Sequence, residues 1–178
     1  MSESSAFDTS QQKYIIRPSE KVVVFEAEWH SDIVGMMVRD ALELFLQHNV
    51  RQVEVVKVPG CFELPQAVSM YFYPPLNSVL SEPRARTDFS AICFGCVVQG
   101  DTPHFTFISQ AVAQGIEQVA CSGIPFPVMF GVLTANTRQQ ALERADGTHS
   151  RKGVEVATAL LKMLDFRNRY CLPKEQLS

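Results

Sequence analysis

A histidine stands at the start of a segment whose backbone is suited to binding an anion. Gly100-Asp-Thr-Pro103 joins an apolar run to a helix-period segment, and His104 follows it directly. The first amide groups of a helix have no partner within the helix, so they offer donors and partial positive charge to an anion. A histidine in this position is suited to acid–base chemistry near neutral pH. An ordinary capped helix start is the alternative interpretation, because such starts are common.

Trp29 and Glu63 are two further residues that could recognise a ligand. Trp29 is the only tryptophan and follows the first apolar run, where its ring could stack on a planar heterocycle or fill a core or rim position. Glu63 follows Pro59-Gly-Cys-Phe62, a tight turn that would project its carboxylate towards hydroxyl donors. The plainer interpretation of Glu63 is a charge at a helix start, which the helix dipole favours.

Arg144 and Lys152 are basic residues that could hold a phosphate. Single basic residues on helices are usually solvated, so neither indicates a site by itself. The formal net charge of −3 gives no general attraction to nucleic acid or to anionic lipid. An anionic ligand must therefore be held by a few placed groups.

The cysteines indicate a reduced protein. Their number is odd, which argues against a disulfide framework; they are Cys61, Cys93, Cys96, Cys121 and Cys171. Cys93-Phe-Gly-Cys96 matches the C-x-x-C pattern of redox proteins, in which the motif opens a helix. Here it lies in a strand-like run, where positions three apart point to opposite faces. We therefore predict two ordinary buried cysteines and a reducing compartment, the cytosol.

Short apolar runs alternate with helix-period segments, which is typical of an α/β protein with helices on both faces of a parallel sheet. The predicted buried strands are Lys21 to Ala27, Val53 to Val58, Ser90 to Val98 and Pro127 to Leu133. The predicted helices are Ser31 to His48 with Asn49 as its stop, Leu64 to Phe72, His104 to Ala120, a helix through Arg144, and Gly153 to Phe166. Thr102 is predicted to cap the third helix with Pro103 as its first residue, and Thr137-Arg-Gln-Gln140 to form a capping box.

Ligands of such sheets bind beyond the carboxyl ends of the strands. The segments that follow the predicted strands are Glu28 to His30, Pro59 to Glu63, Gln99 to His104 and the residues from Thr134 onward. The candidate residues fall in these same segments, so they are predicted to meet at one edge of the sheet. The proline-bearing stretch Pro74 to Thr87 is aperiodic and predicts a surface loop.

Three motifs and a basic pair carry a family resemblance. They are Val58-Pro-Gly-Cys-Phe-Glu-Leu-Pro65, Gly95-Cys-Val-Val-Gln-Gly-Asp-Thr-Pro-His-Phe105, Phe130-Gly-Val-Leu-Thr134, and Arg144 with Lys152-Gly153. In these residues and their order, the chain resembles the lumazine synthases. The resemblance implies a flavodoxin-like, three-layer α/β/α sandwich around a four-stranded parallel sheet. It also implies a transferase of riboflavin biosynthesis that condenses 5-amino-6-(D-ribitylamino)uracil with 3,4-dihydroxy-2-butanone 4-phosphate to 6,7-dimethyl-8-ribityllumazine, without a metal or organic cofactor.

The resemblance also implies roles for individual residues. His104 is the implied proton shuttle. The implied contacts of the pyrimidine ring are Trp29, Val97, Val98 and the next subunit's Phe130. Those of the ribityl chain are Cys61, Phe62 and Glu63. Those of the phosphate are the amides of Asp101 and Thr102, with Lys152 and the next subunit's Arg144. His30 and Gln99 belong to the same expected site, although an asparagine and a basic residue are common at these positions.

Three other positions depart from the family pattern. Asp101 places a carboxylate beside the expected phosphate site, so its side chain must point outward. Asp146 and Arg151 stand where glycine and asparagine are common, in the stretch before Lys152. The stretch from Pro74 to Thr87 is longer than the usual connection.

The predicted organisation is a flexible arm at 1–16, one α/β domain at 17–170 and a tail at 171–178. The resemblance implies a homopentamer, or a decamer or sixty-subunit shell built from pentamers, with riboflavin synthase as a further partner. No nucleic acid or membrane partner is expected. The alternatives are a non-catalytic flavin- or lumazine-binding protein and a shell-forming paralogue. A flavodoxin-like electron carrier is disfavoured, because Gly100-Asp-Thr-Pro103 matches its phosphate loop poorly.

Overall fold

The structure, a computed structural model, describes residues 13–72 and 88–173. Its elements in chain order are β1 (Lys21–Ala27), α1 (Ser31–Gln47), β2 (Gln52–Val58), a 3-10 turn (Cys61–Glu63), α2 (Leu64–Phe72), β3 (Phe89–Val98), α3 (His104–Ala120), β4 (Val128–Ala135), α4 (Arg138–Ala145) and α5 (Lys152–Tyr170). The predicted loop from Pro74 to Thr87 lies outside the described residues, as do the first twelve residues of the predicted arm.

The described strands form one parallel sheet in the order β2-β1-β3-β4. The chain moves outward from β1 to β2 and then crosses back to β3 on the other side of β1. The direction of winding therefore reverses between β1 and β3, and a crevice opens at their carboxyl ends. This topology confirms the predicted α/β sandwich and places a ligand crevice beyond Ala27 and Val98.

Apolar residues alternate between the two faces of the central strands, and each face has its own core. Val22 and Val24 pack with helices α1, α4 and α5, whereas Val23 and Phe25 pack with α2 and α3. Both faces of β1 are buried, which explains why its sequence is continuously apolar rather than alternating. The two layers of helices and the sheet between them give the predicted three-layer arrangement.

The four strands are not equally buried, and the prediction of a buried second strand was wrong. β2 lies at the edge of the sheet, with Val55 40% exposed and Glu54 and Lys57 also at the surface. An apolar run shows that a strand is extended and half-buried, but its place in the sheet order decides whether its second face is covered. The charged side chains on this edge oppose unspecific strand pairing.

The predictions made from local capping patterns were partly correct. Thr137 Oγ1 accepts a hydrogen bond from the Gln140 backbone N–H at 3.2 Å, and Gln140 Oε1 accepts from the Thr137 backbone N–H, which confirms the predicted capping box. Asn49 adopts a left-handed φ of 60°, as expected of a helix stop. The prediction that Thr102 caps α3 was wrong, because Pro103 is the N-cap residue and no side chain caps this helix.

Helix α5 extends further than predicted and holds the residues before β1. The Ile15 backbone N–H donates to Asp165 Oδ1 at 2.7 Å, and Asn168 Nδ2 donates to the Ile15 carbonyl at 2.7 Å. A buried ion pair between Glu20 and Arg167 lies next to these contacts. These hydrogen bonds attach Ile15, which precedes the predicted domain boundary at residue 17, to α5.

Candidate functional site

A cleft of about 690 Å³ opens at the carboxyl ends of β1, β2 and β3. Its lining comes from the segments that follow these strands and from the first turns of α3: Trp29, His30, Gly60, Cys61, Phe62, Glu63, Cys96, Val97, Val98, His104 and Ile108. The cleft therefore lies where the sheet topology reverses. Its size and mixed apolar and polar lining suit a heterocyclic ligand of small-molecule size.

One wall of the cleft is aromatic. Trp29 is 71% exposed and Phe62 is 57% exposed. These two rings leave a large apolar area inside the cleft, and a ligand that covered it would be stabilised by removing that area from water. The position of Trp29 in a cleft favours the stacking interpretation over the core interpretation that the sequence left open.

Gly60 allows this wall and an acidic group to come together. A Cβ atom at residue 60 would lie 3.1 Å from Glu63 Oε2 and 3.4 Å from Trp29 Cδ1. Both side chains therefore converge on the same small area of backbone, which a larger residue would push apart. The carboxylate of Glu63 is thus beside the indole of Trp29, where it can accept hydrogen bonds from hydroxyl groups of a stacked ligand.

The turn that carries Glu63 is held at both ends by buried residues. Cys61 and Leu64 are buried, whereas Phe62 and Glu63 between them face outward. Cys61 packs under β3 at Gly95, where a Cβ atom would lie only 2.5 Å from Cys61 Sγ. A side chain at residue 95 would therefore displace the turn and the carboxylate with it.

Thiols form the floor of the cleft, and they are held in the neutral form. Burial raises the pKa of Cys61 to about 11 and that of Cys96 to about 12. The Cys61 thiol donates to the Cys96 carbonyl oxygen at 3.6 Å. Cys93 and Cys96 are both buried and unpaired and belong to cores on opposite faces of the sheet, as predicted from their spacing. These thiols serve as apolar packing rather than as nucleophiles at neutral pH.

His104 is the first residue of α3 and is exposed to the cleft. The chain between Val98 and His104 is the turn predicted to bind an anion, and its residues Gln99, Asp101 and Thr102 are exposed. The Pro103 carbonyl accepts from the backbone N–H groups of Thr106 at 3.0 Å and of Phe107 at 3.4 Å, so the N–H groups before Thr106 are those without a partner within the helix. The outward-facing donors of the helix start thus lie next to an imidazole.

His30 occupies a backbone position that favours a small set of residues. Its φ of 57° is left-handed, and it is the N-cap residue of α1 without a side-chain capping bond. Asparagine, aspartate and histidine are the non-glycine residues that adopt this conformation most readily. The replacement of the family's usual asparagine is therefore compatible with the turn, and the imidazole lines the cleft.

Six of the predicted binding residues do not line the cleft of their own chain. Gln99, Asp101 and Thr102 lie in the turn between β3 and α3, and Phe130, Arg144 and Lys152 lie on other elements. Phe130 pairs with Cys93 in the sheet, five residues before β4 ends at Ala135, which places it about 16 Å below the carboxyl edge. Arg144 is exposed in the last turn of α4, and Lys152 is the first residue of α5. The described lining of the cleft therefore contains no arginine or lysine.

Some lining residues were not predicted from the sequence. Gly60, Cys96 and Ile108 line the cleft. Ile108 had an available signal, because it follows His104 by one helical turn and shares its face. Gly60 also had one, because it lies in the segment Pro59 to Glu63 that was predicted to lie at this edge of the sheet. Cys96 had none, since its contribution depends on how closely neighbouring segments pack.

Neither a metal site nor a membrane-spanning helix is present in the described parts of the chain. Within residues 13–72 and 88–173, no three histidine, cysteine or acidic side chains come together in an arrangement that could hold a metal ion. None of the described helices is both long and apolar enough to cross a bilayer.

Comparison with known proteins agrees with this geometry. A family model described as 6,7-dimethyl-8-ribityllumazine synthase matches residues 19–168. Proteins of that name are similar to this chain in Porphyromonas gingivalis (41% identity over 145 residues, 80% of this chain and 83% of the relative) and Streptomyces avermitilis (38% over 143 residues, 78% and 80%). A third, from Bacteroides fragilis, is 34% identical over 149 residues, 82% of this chain and 95% of the relative. The chain belongs to the 6,7-dimethyl-8-ribityllumazine synthase family.

Proposed function

We propose that this protein condenses 5-amino-6-(D-ribitylamino)uracil with 3,4-dihydroxy-2-butanone 4-phosphate, releasing 6,7-dimethyl-8-ribityllumazine, phosphate and two waters. The observation that carries the proposal is the cleft in which Trp29, Glu63 and His104 meet, in a chain of this family. Each of these three side chains suits a different part of the reaction. Each follows a different one of three neighbouring strands, so the sheet brings the three to one edge.

One chain supplies most of the pyrimidine half of the site. Trp29 stacks on the heterocycle, which lies against Val97 and Val98, and Glu63 accepts hydrogen bonds from the ribityl hydroxyls. The backbone near Cys61 and Phe62 lies beside the same ribityl chain. Support for these roles comes from the shared lining of the cleft and from the approach of Trp29 and Glu63 to Gly60.

The phosphate half needs a second chain. The amides of Asp101 and Thr102 hold the phosphate at the start of α3, but the described lining of the cleft carries no arginine or lysine. Arg144 and Lys152 of a neighbouring subunit complete the site, and Phe130 of that subunit closes the aromatic pocket. An arginine suits this task because its planar fork donates to two phosphate oxygens at once.

Assembly follows from this division. A chain that lends Arg144 to one neighbour and receives it from another forms a head-to-tail ring, and the family resemblance sets the ring at five subunits. We propose a homopentamer, or a larger particle built from pentamers, that works in the cytosol without a metal or organic cofactor. Riboflavin synthase is the proposed further partner, since it consumes the lumazine product.

The chemistry requires little beyond orientation and proton transfer. The pyrimidine amine attacks the ketone and loses water to give an imine, phosphate leaves, and the second amine closes the ring with loss of another water. His104 moves protons between these groups at the start of α3, contributing about 10²–10⁴-fold. Holding both reactants in register contributes more, about 7–11 kcal/mol.

An assay of mixed subunits tests the proposal. His104→Ala and Arg144→Ala proteins are purified separately, unfolded, mixed in equal amounts, refolded and supplied with both substrates. If the site is shared, about one site in four combines an intact cleft with an intact neighbouring Arg144, so activity returns to about a quarter of the wild-type rate. Refolding each variant alone is the control.

The outcomes separate the competing interpretations. Recovery on mixing establishes both the reaction and the shared site. Wild-type protein that assembles and binds the pyrimidine without forming product would instead be a lumazine- or flavin-binding protein. A chain that retains full activity after Arg144→Ala would contradict the assignment of the phosphate site. Nothing in the described residues favours the binding-protein or shell alternatives.

A further inference from the structure

The connection between α4 and α5 joins the two basic residues of the proposed phosphate site. Arg144 precedes it and Lys152 follows it, so residues 146–151 fix the distance between them. Within the connection, the His149 backbone N–H donates to the Glu143 carbonyl at 2.8 Å, and Ser150 Oγ donates to the Arg144 carbonyl at 3.3 Å. These bonds fold the connection back onto the end of α4.

Arg151 attaches the other end of this connection to α1. Its Nε and Nη2 atoms donate to the two carboxylate oxygens of Asp40 at 3.1 and 2.7 Å. The side chain of Asp40 is only 7% exposed, whereas that of Arg151 is 53% exposed. A carboxylate at such depth needs a hydrogen-bonding partner, and the two-pronged contact fixes the direction of the guanidinium as well as its distance.

Gly153 makes a second attachment to the same helix. A Cβ atom at residue 153 would lie 2.3 Å from the Met37 carbonyl oxygen and 2.7 Å from Met37 Cα, so α5 begins in backbone contact with α1. Met37 and Asp40 are one turn apart on α1. Both neighbours of Lys152 in the chain, Arg151 and Gly153, are therefore held on α1.

Lys152 itself has weak local restraint. Its Nζ lies 3.3 Å from Glu155 Oε2, in a pair whose side chains are about a quarter exposed, at 25% and 26%. Such a pair contributes little to holding a geometry. The direction of Lys152 is therefore set by the backbone on either side of it, and that backbone is fixed by Asp40 and Met37.

We infer that the Asp40–Arg151 ion pair positions Lys152 and Arg144 for phosphate and so sets the affinity for the phosphorylated substrate. The inference rests on the proposed function, because it takes these two residues to bind phosphate. Arg151 and Asp40 are positioning residues here. Neither lines the cleft, and both act through the connection between α4 and α5.

The test compares two kinetic constants in variants of the pair. Arg151→Ala and Asp40→Asn are each expected to raise KM for the butanone phosphate about 10- to 100-fold, the range expected when binding groups move by about 1 Å. KM for the pyrimidine substrate and kcat at saturation stay within about twofold, because the cleft is untouched. Arg151→Lys restores part of the affinity, since it keeps the charge and loses the two-pronged contact.

Arg169→Ala is the matched control. Arg169 pairs with Asp165 at 2.7 Å near the far end of the same helix, so its loss removes an ion pair from α5 without altering the connection. It leaves both KM values unchanged. Titration with inorganic phosphate gives a second measure that does not depend on turnover, and the Arg151→Ala protein binds it more weakly than the Arg169→Ala protein does.

The same measurements can also overturn the inference. A lower melting temperature for Arg151→Ala with unchanged KM for the butanone phosphate would make the pair merely structural and overturn the inference. If Arg151→Ala does not assemble, Arg151→Lys and Asp40→Asn carry the same comparison. Arg144→Ala distinguishes a failure of the inference from a failure of the proposed phosphate site. When it raises KM for the butanone phosphate and Arg151→Ala does not, only the inference fails; when neither variant does, the proposed phosphate site fails with it.

Discussion

The cleft and the α4–α5 connection are built on opposite principles. The cleft is formed by the ends of three neighbouring strands, and buried residues such as Cys61 and Leu64 hold its walls. The connection is mostly exposed and is held by backbone hydrogen bonds and one ion pair to α1. Under the proposed function, ring recognition and phosphate recognition therefore rest on separate supports. A substitution that weakens binding of the ring should therefore leave binding of the phosphate measurable, and the reverse.

The largest expected effect follows from removing the proposed acid–base group of the cleft. His104→Ala is expected to lower kcat by about 10²–10⁴-fold and to leave measurable turnover, because orientation supplies the larger share of the rate. Steady-state kinetics with both substrates checks this. His48→Ala, at the far end of α1, is the control. Complete loss of turnover in a correctly assembled His104→Ala protein contradicts this division.

A smaller effect tests the aromatic wall of the cleft. Trp29→Ala is expected to weaken binding of the pyrimidine substrate about 5- to 150-fold, since stacking of a base on an aromatic ring is worth about 1–3 kcal/mol. Trp29→Phe retains a ring and loses less. Because Trp29 is the only tryptophan and is 71% exposed, quenching of its fluorescence reports binding in the wild-type protein.

Steady-state kinetics of the Trp29 variants tests whether the cleft and the α4–α5 connection act separately. KM for the butanone phosphate stays within about twofold in the Trp29 variants if the two supports are separate. A parallel rise in both KM values would show that the ring and phosphate sites are coupled. Pyrimidine binding that leaves the fluorescence of the wild-type protein unchanged would remove Trp29 from the binding site.

The mildest effect concerns the thiols under the cleft. At pH 8 a thiol whose pKa is about 11, as in Cys61, is only about 0.1% thiolate, so it alkylates slowly. Exposed Cys121 and Cys171 are expected to react first, and Cys61 to gain about tenfold in rate for each unit of pH up to its pKa. Mass spectrometry of iodoacetamide-treated protein gives the order. Since residues 138–152 contain no cysteine, labelling does not report on the α4–α5 connection. Labelling of Cys61 as fast as Cys171 at pH 8 would show an open floor.

The fold was accessible from the sequence because its signals are local. Continuous apolar runs predicted the parallel strands, and the capping box at Thr137 predicted where α4 begins. The exposure of β2 was not accessible, since it depends on the order of strands in the sheet. The cap at Thr102 was mispredicted because a proline one residue later takes the N-cap position itself.

The candidate site divides in the same way. Trp29, Glu63 and His104 were predictable as neighbours, because parallel strands bring their carboxyl ends to one edge. The contact of Arg151 with Asp40 joins residues 111 positions apart and left no local pattern in the sequence. Nor could spacing show that Arg144 lies away from the cleft, since that depends on how α4 packs against the sheet.

The close contact at Gly153 sets a limit on mutational tolerance. With the Met37 carbonyl 2.3 Å from the position of a Cβ atom, even alanine cannot be accommodated unless the two helices separate. In a library of single substitutions, residues other than glycine should therefore be depleted at position 153. Any surviving variant would have moved the start of α5, and selection on substrate affinity would act there through helix spacing rather than through residues that touch the substrate.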